Sequence, residues 1–178
     1  MKEEELQPLV DSWRAANPHI VQFWYDVDSA VKKAIRQKTS TKVGSFTYEY
    51  RSGMLFAHLP SGRCLSYVKP RIGENRFGGE SITYMGIDNA KHWSRLETFG
   101  GKLVENLVQA ISRDILCYAM RTLSHYRIVG HVHDELIIEV SKDTPLESIC
   151  EQMGRTPPWL PGLELRADGF ECMFYKKD

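Results

Sequence analysis

The chain has no CxxC pair; its four cysteines, Cys64, Cys117, Cys150 and Cys172, are widely scattered. That spacing argues against a paired-cysteine zinc module and for a reducing compartment. No sign of charge dominates, because the formal net charge is +0. A global basic field that would advertise nucleic-acid binding is therefore excluded, and any such site must be a local patch. No apolar run approaches the ~20 residues of a membrane span. The opening Met1-Lys2-Glu3-Glu4-Glu5 is acidic rather than basic and then apolar, which is not a signal-peptide pattern. There is no internal repeat, low-complexity tract or Gly/Ser linker. Together these absences give the expectation of a cytoplasmic protein with no membrane partner.

What is present is a globular composition, 42% hydrophobic and 26% charged over 178 residues. That is enough chain for one domain or one and a half. Glu3 to Ala16 reads as a short helix starting near Pro8. Asn17-Pro18 restarts it, with Asn as N-cap and Pro at the first helical position. From His19 to Gln37, Ile20, Val21, Phe23, Trp24, Val27, Ala30, Val31, Ala34 and Ile35 fall at helical spacing with one buried face. Lys32, Lys33, Arg36 and Lys38 make its C-terminal end basic, which suits the helix dipole.

From Thr41 the period becomes strand-like. Val43, Phe46, Tyr48 and Tyr50 lead to a turn at Arg51-Ser52-Gly53. Met54 to Leu59 is a second strand, Pro60-Ser61-Gly62-Arg63 a turn, and Cys64 to Val68 a third strand. This is a small antiparallel meander. Lys69 to Ser81 reads as a loop with Lys69, Arg71 and Arg76, basic enough to lie against phosphates or simply to be solvated. Ile82 to Met85 adds a short strand. Lys91, His92, Trp93 and Arg95 are the strongest local mix of basic and aromatic residues.

Lys102 to Ser124 is the longest helix. Leu103, Val104, Leu107, Val108, Ile111, Ile115, Leu116, Ala119, Met120 and Leu123 form its apolar stripe. Opposite them Lys102, Asn106, Gln109 and Arg113 share one polar face, at spacings of four, three and four. Such a face is polar by default, but Asn and Gln offer both donors and acceptors, which suits bases or sugars. The helix feeds into two β-branched runs flanking His133-Asp134-Glu135, a hairpin with two adjacent carboxyls and an imidazole at its tip. Crowded carboxylates favour a divalent cation, although Asp is also an ordinary turn residue. Thr144-Pro145 begins a short helix to about Met153. Leu163 to Ala167 and Gly169 to Tyr175 alternate as two further strands that would complete the hairpin's sheet.

In this order the segments resemble the C-terminal part of the palm of family A (polymerase I-like) DNA polymerases, in the branch encoded by bacteriophages and prophages. The carriers are Leu59-Pro60-Ser61-Gly62-Arg63 with Leu65 and Tyr67; Phe99-Gly100-Gly101-Lys102-Leu103-Val104-Glu105-Asn106 running to Gln109 and Arg113-Asp114; and Val132-His133-Asp134-Glu135. Pro158-Trp159, Gly162-Leu163, Ala167-Asp168-Gly169 and Tyr175-Lys176-Lys177 also fit. Trp13-Arg14, Asn17-Pro18 and Phe23-Trp24 resemble the fingers segment returning to the palm. The resemblance implies an α+β fold. A palm-type antiparallel sheet would carry the His-Asp-Glu hairpin, packed by long helices, with the small meander beside it. Residues 1–87 would be a partial fingers segment and 88–178 the C-terminal palm segment.

The resemblance also implies roles. Asp134 and Glu135 would be catalytic and would ligate Mg²⁺. His133, Gln109, Asn106, Glu105, Lys102 and Arg113 would bind nucleic acid. Primer–template DNA and dNTP would be the partners in a full-length enzyme. The family's other metal-binding Asp and its nucleotide-binding helix lie upstream of this chain's first residue. Asp11, Asp26 and Asp28 sit on expected helices and do not replace that Asp. The expectation is therefore a polymerase tail holding half of a two-metal site and inactive by itself. It would dock on a missing N-terminal part or self-associate through exposed palm surface. Two other readings stay open. One is a non-catalytic DNA-binding or polymerase-docking module. The other is a metal enzyme using His131, His133 and Glu135, whose alternation along one strand is metal-ligand spacing.

Overall fold

Two helices open the structure, a computed structural model that describes residues 3–75 and 77–175. Arg76, Lys176 and Lys177, named above, lie outside the described residues. The first helix, α1 (Glu3–Ala16), begins well before Pro8 and carries that proline inside it. One residue later α2 (Pro18–Gln37) starts, with Pro18 at its first position. Asn17 makes no side-chain cap to α2. Its Nδ2 donates instead to the Trp13 carbonyl at 2.8 Å, satisfying the end of α1. Trp13 and Trp24 stack with ring centroids 5.6 Å apart, pinning the two helices together. The buried positions of α2 are Val27, Val31, Ala34 and Ile35, one stripe at helical spacing.

That stripe covers one face of an antiparallel sheet whose strands follow in chain order. They are β1 (Ser40–Val43), β2 (Phe46–Arg51), β3 (Met54–His58), β4 (Cys64–Glu74), β5 (Glu80–Ile87) and β6 (Trp93–Thr98). Tyr48, Leu55, Ala57, Tyr67 and Ile82 point into this core, none more than 6% exposed. Fully burying a side chain such as Leu55 contributes roughly 1.5–3 kcal/mol. The expected meander is thus larger than its sequence pattern suggested. The run from Thr41 to Tyr50 is two strands, folded back at Gly44, whose φ of +55° suits glycine. The expected loop over 69–81 gives way to strand at both ends, because β4 runs on to Glu74 and β5 starts at Glu80. Pro70 is tolerated there because the register shifts between Val68 and Arg71, where the ladder needs no N–H from it.

The longest helix is α3 (Gly100–Thr122). Its start is fixed by a close approach to α2: a Cβ on Gly100 would meet the Trp24 carbonyl oxygen at 2.0 Å. The Gly100 N–H donates to Asp28 Oδ1 at 3.1 Å, so a side chain of α2 caps α3. Leu103, Val104, Leu107, Leu116, Ala119 and Leu123 are buried as the stripe predicts, but Val108 is 55% exposed and interrupts it.

The chain forms two compact units, one through Val108 and one from Gln109, so the division falls inside α3. It lies beyond residue 87 because β6 belongs to the same sheet as β1–β5. The second unit holds the end of α3, β7 (Arg127–Val132), β8 (Glu135–Glu139) and α4 (Leu146–Met153). Here the structure corrects the sequence reading. β7 and β8 form a sheet of two strands, and no strand forms over 163–175. Those residues follow α4 instead. A Cβ on Gly169 would sit 3.1 Å from Leu146 Cδ1, and one on Gly154 would sit 3.4 Å from the Ala167 nitrogen. The backbone at Ala167 and Gly169 thus lies beside α4, while Leu163, Phe170, Met173 and Phe174 stay exposed, so the apolar alternation marks no strand. The α+β class holds, with the weight of strand in the meander rather than around the hairpin. Among the described residues no helix is long and apolar enough to cross a membrane.

Candidate metal and nucleic-acid site

The hairpin is built from paired β-branched and apolar residues. Ile128 faces Ile138, Gly130 faces Ile137, His131 faces Leu136 and Val132 faces Glu135, with a bulge at Val129. Arg127 closes the open end by an ion pair to Glu139 at 3.2 Å. The turn itself is only His133-Asp134; Glu135 already belongs to β8. His133 has φ of 49°, a left-handed conformation uncommon outside Gly, to which Asn, Asp and His are the side chains best suited. It stores local strain at the tip, of the order of 1 kcal/mol.

His133, Asp134 and Glu135 are all exposed. Among the described residues their side chains make no hydrogen bond or ion pair. Two carboxylates thus stand on successive residues of a strained tip with their oxygens uncommitted. The zinc-type alternation does not survive this geometry. Because Val132 pairs with Glu135 and His131 with Leu136, His131 and Glu135 point to opposite faces of the hairpin. Among the described residues no group of three His, Cys, Asp or Glu side chains could hold a metal ion.

The polar face of α3 divides into committed and open members. Lys102 Nζ bonds both oxygens of Glu105 at 2.8 Å, so these two neutralise each other on the helix surface. Asn106 Nδ2 donates to the Tyr67 hydroxyl at 3.2 Å, facing the sheet rather than solvent. Arg113 lies against His131, its Nη1 and Nη2 each 3.3 Å from a ring nitrogen. Gln109 is exposed, and among the described residues its amide has no partner. Asp114, beside Arg113, is buried at 6% exposure.

Asp11, Asp26 and Asp28 are all on helices, and all are engaged. Asp11 accepts from Gln7 and Asp26 from Gln22, each at 2.8 Å. Asp28 pairs with Lys32 at 2.6 Å besides capping α3. The basic end of α2 is likewise engaged: Lys32 and Arg36 meet Asp28 and Glu80 respectively. Of the supposed phosphate loop, Lys69 stands at the β4 bulge and Arg71 on the strand beyond it.

The fit to Mg²⁺ is partial. Exposed, uncommitted carboxylate oxygens are the hard donors that ion takes, but two side chains leave most of an octahedral shell to other ligands. No family model matches the sequence, and no solved structure matches it. A protein of Bacillus phage SP02 named "DNA polymerase" is 45% identical over 183 residues. The similarity takes in the whole of this chain, which spans 28% of the length of that relative.

Proposed function

We propose that this chain is part of a DNA-directed DNA polymerase of the polymerase I-like class, in which the β7–β8 hairpin brings Asp134 and Glu135 to catalytic Mg²⁺. The observation that carries the reading is the uncommitted carboxylate pair at the strained tip. It lies in a chain similar along its whole length to a protein named DNA polymerase. In this reading residues 1–87 serve the fingers and 88–178 the palm.

Divalent ions bound at such a site would neutralise the transferring phosphoryl group and activate the attacking hydroxyl. The chain's own contribution is positional. Asp134 and Glu135 offer oxygens on consecutive residues, held apart from competing cations of the protein. His133, fixed by its φ, stands beside them toward the primer terminus. Gln109 presents an open amide to base or sugar edges, and Arg113 a guanidinium to phosphate. Lys102, Glu105 and Asn106 act in this reading mainly by shaping the helix that carries Gln109. Two carboxylates do not clamp two ions, so the isolated 178 residues are inactive in primer extension. They need further carboxylates, a nucleotide site and an N-terminal polymerase part; without that part, exposed palm surface favours self-association.

Mn²⁺ titration with primer–template present, read by water-proton relaxation, tests the metal role. Asp134→Asn and Glu135→Gln should each weaken binding several-fold. Equal binding by both variants contradicts it. A second reading, a DNA-binding or polymerase-docking module without catalysis, is favoured by the lack of a three-ligand cluster among the described residues. It predicts salt-dependent primer–template binding that both substitutions leave intact.

A further inference from the structure

Within the first unit, α2 packs on one face of the six-stranded sheet, against β1, β2 and β4. A row of ladder partners crosses the opposite face from β2 to β6: Arg51 faces Met54, Met54 faces Val68, Val68 faces Met85 and Met85 faces Arg95. The row is apolar in the middle and cationic at both ends. Four strand spacings make it about 19 Å wide. None of its residues is fully buried. On one side of the row stand two aromatics, Phe56 on β3 and Trp93 on β6, the latter 59% exposed. The Arg51 guanidinium carbon lies 5.2 Å from the centre of the Phe56 ring. Arg95 spreads over the face, donating from Nη1 to the Lys69 carbonyl at 3.2 Å and to Thr83 Oγ1 at 3.1 Å. Arg71 is exposed on the other side of the row, in register with Thr83.

We propose that this open sheet face binds single-stranded nucleic acid, with bases stacked on Phe56 and Trp93 and phosphates met by Arg51, Arg71 and Arg95. The site uses no residue of the hairpin and does not depend on the hairpin's role. Charge argues for this occupant. In a chain of zero net charge, this face carries Lys42, Arg51, Arg71 and Arg95 against Glu49 and Glu97. Glu49 is already engaged, 2.9 Å from His58 Nε2 and 3.6 Å from Arg51. Geometry argues the same way. The aromatics are spaced across strands rather than gathered in one aliphatic patch, and Met54 and Met85 between them adapt to varied flat surfaces. Bases of a duplex are not free to lie on a sheet, whereas those of a single strand are.

Fluorescence anisotropy of a labelled oligodeoxythymidine, titrated with the full chain at low and moderate salt, tests the proposal. Binding should fall with salt. Trp93→Ala should weaken it about tenfold, while Trp93→Phe, which keeps a ring, should retain most of it. Arg71→Ala should reduce the salt slope by roughly the 0.7 expected of one phosphate contact on a single strand. Thermal melts confirm that each variant is folded. Absence of binding at low salt overturns the proposal, as does equal affinity of wild type and Trp93→Ala. A Trp93→Ala variant that changes only the sedimentation of the protein would assign the face to protein association and overturn it too.

Discussion

Arg113 on α3 lies alongside His131 on β7, both of its terminal nitrogens 3.3 Å from the two nitrogens of the imidazole. One neutral imidazole offers only one acceptor, so at most one of these contacts is a hydrogen bond at a time. The contact joins the helix that bears Gln109 to the hairpin that bears Asp134. Both partners are exposed, so Arg113→Ala should change stability by less than about 1 kcal/mol. In the proposed function it should nevertheless weaken primer–template binding and flatten its salt dependence by about one phosphate contact. Unchanged DNA binding would leave Arg113 as packing alone.

Asn106 should behave in the opposite way. Its bond to Tyr67 holds α3 to the sheet, and Asn106→Ala should cost about 1 kcal/mol in denaturant unfolding. Burial, first, keeps the Tyr67 hydroxyl above its ordinary 10.0; the Asn106 bond pulls it down and Tyr84 pushes it up. A group with a raised folded value contributes its stability fully below the unfolded value and loses it as pH rises through the folded one. Stability should therefore be flat near neutrality and decline above about pH 10. Asn106→Ala should move the Tyr67 titration further upward, read by tyrosinate absorbance. A downward move would show that the bond does not favour the charged form.

Tyr48 is wholly buried, and its hydroxyl has no partner among the described residues. An unsatisfied buried hydroxyl opposes folding, so Tyr48→Phe should leave the melting temperature unchanged or raise it. A clear loss of stability would reveal a polar partner for that oxygen.

Asp88 organises the β5–β6 turn, accepting from the His92 N–H at 2.9 Å and from Ser94 Oγ at 3.1 Å. The His92 bond is the largest cause of its lowered pKa. A lowered folded value means that the contribution is present above the ordinary 3.8 and vanishes as pH falls through the folded value. Asp88→Ala should be less stable than wild type at neutral pH, with the difference closing in strong acid. A difference that persists in acid would point to side-chain packing rather than charge.

Much of the fold was legible because its signals are local. Helical spacing from Ile20 to Ile35 and from Leu103 to Leu123 marked α2 and α3, and Pro18 marked a helix start. Partners distant in sequence were not legible. Glu74 pairs with Glu80 and Thr83 with Arg71, so a Gly-rich, charged segment that reads as loop becomes strand. The strand-like alternation of Leu163, Leu165 and Ala167 found no partner strand; the backbone there lies beside the end of α4 instead. At the tip, the order of residues located the carboxylates. It could not say that Asn106 turns to Tyr67 or that Lys102 and Glu105 satisfy each other. The open sheet face was half visible in Trp93 and Arg95. Arg51 and Phe56 join it only through the β2–β3 register, although the shared parity of Met54, Phe56 and His58 was a usable signal.

The proposed role of Asp134 in metal-dependent polymerase chemistry can be read from activity. The direct measurement is primer extension by a chimera in which these residues replace the matching segment of the Bacillus phage SP02 protein. The chimera should extend a primer with Mg²⁺, and Asp134→Asn should lower the rate by a factor of 10³ or more, on the order of 4 kcal/mol of barrier. An active chimera whose rate Asp134→Asn leaves unchanged would contradict that role.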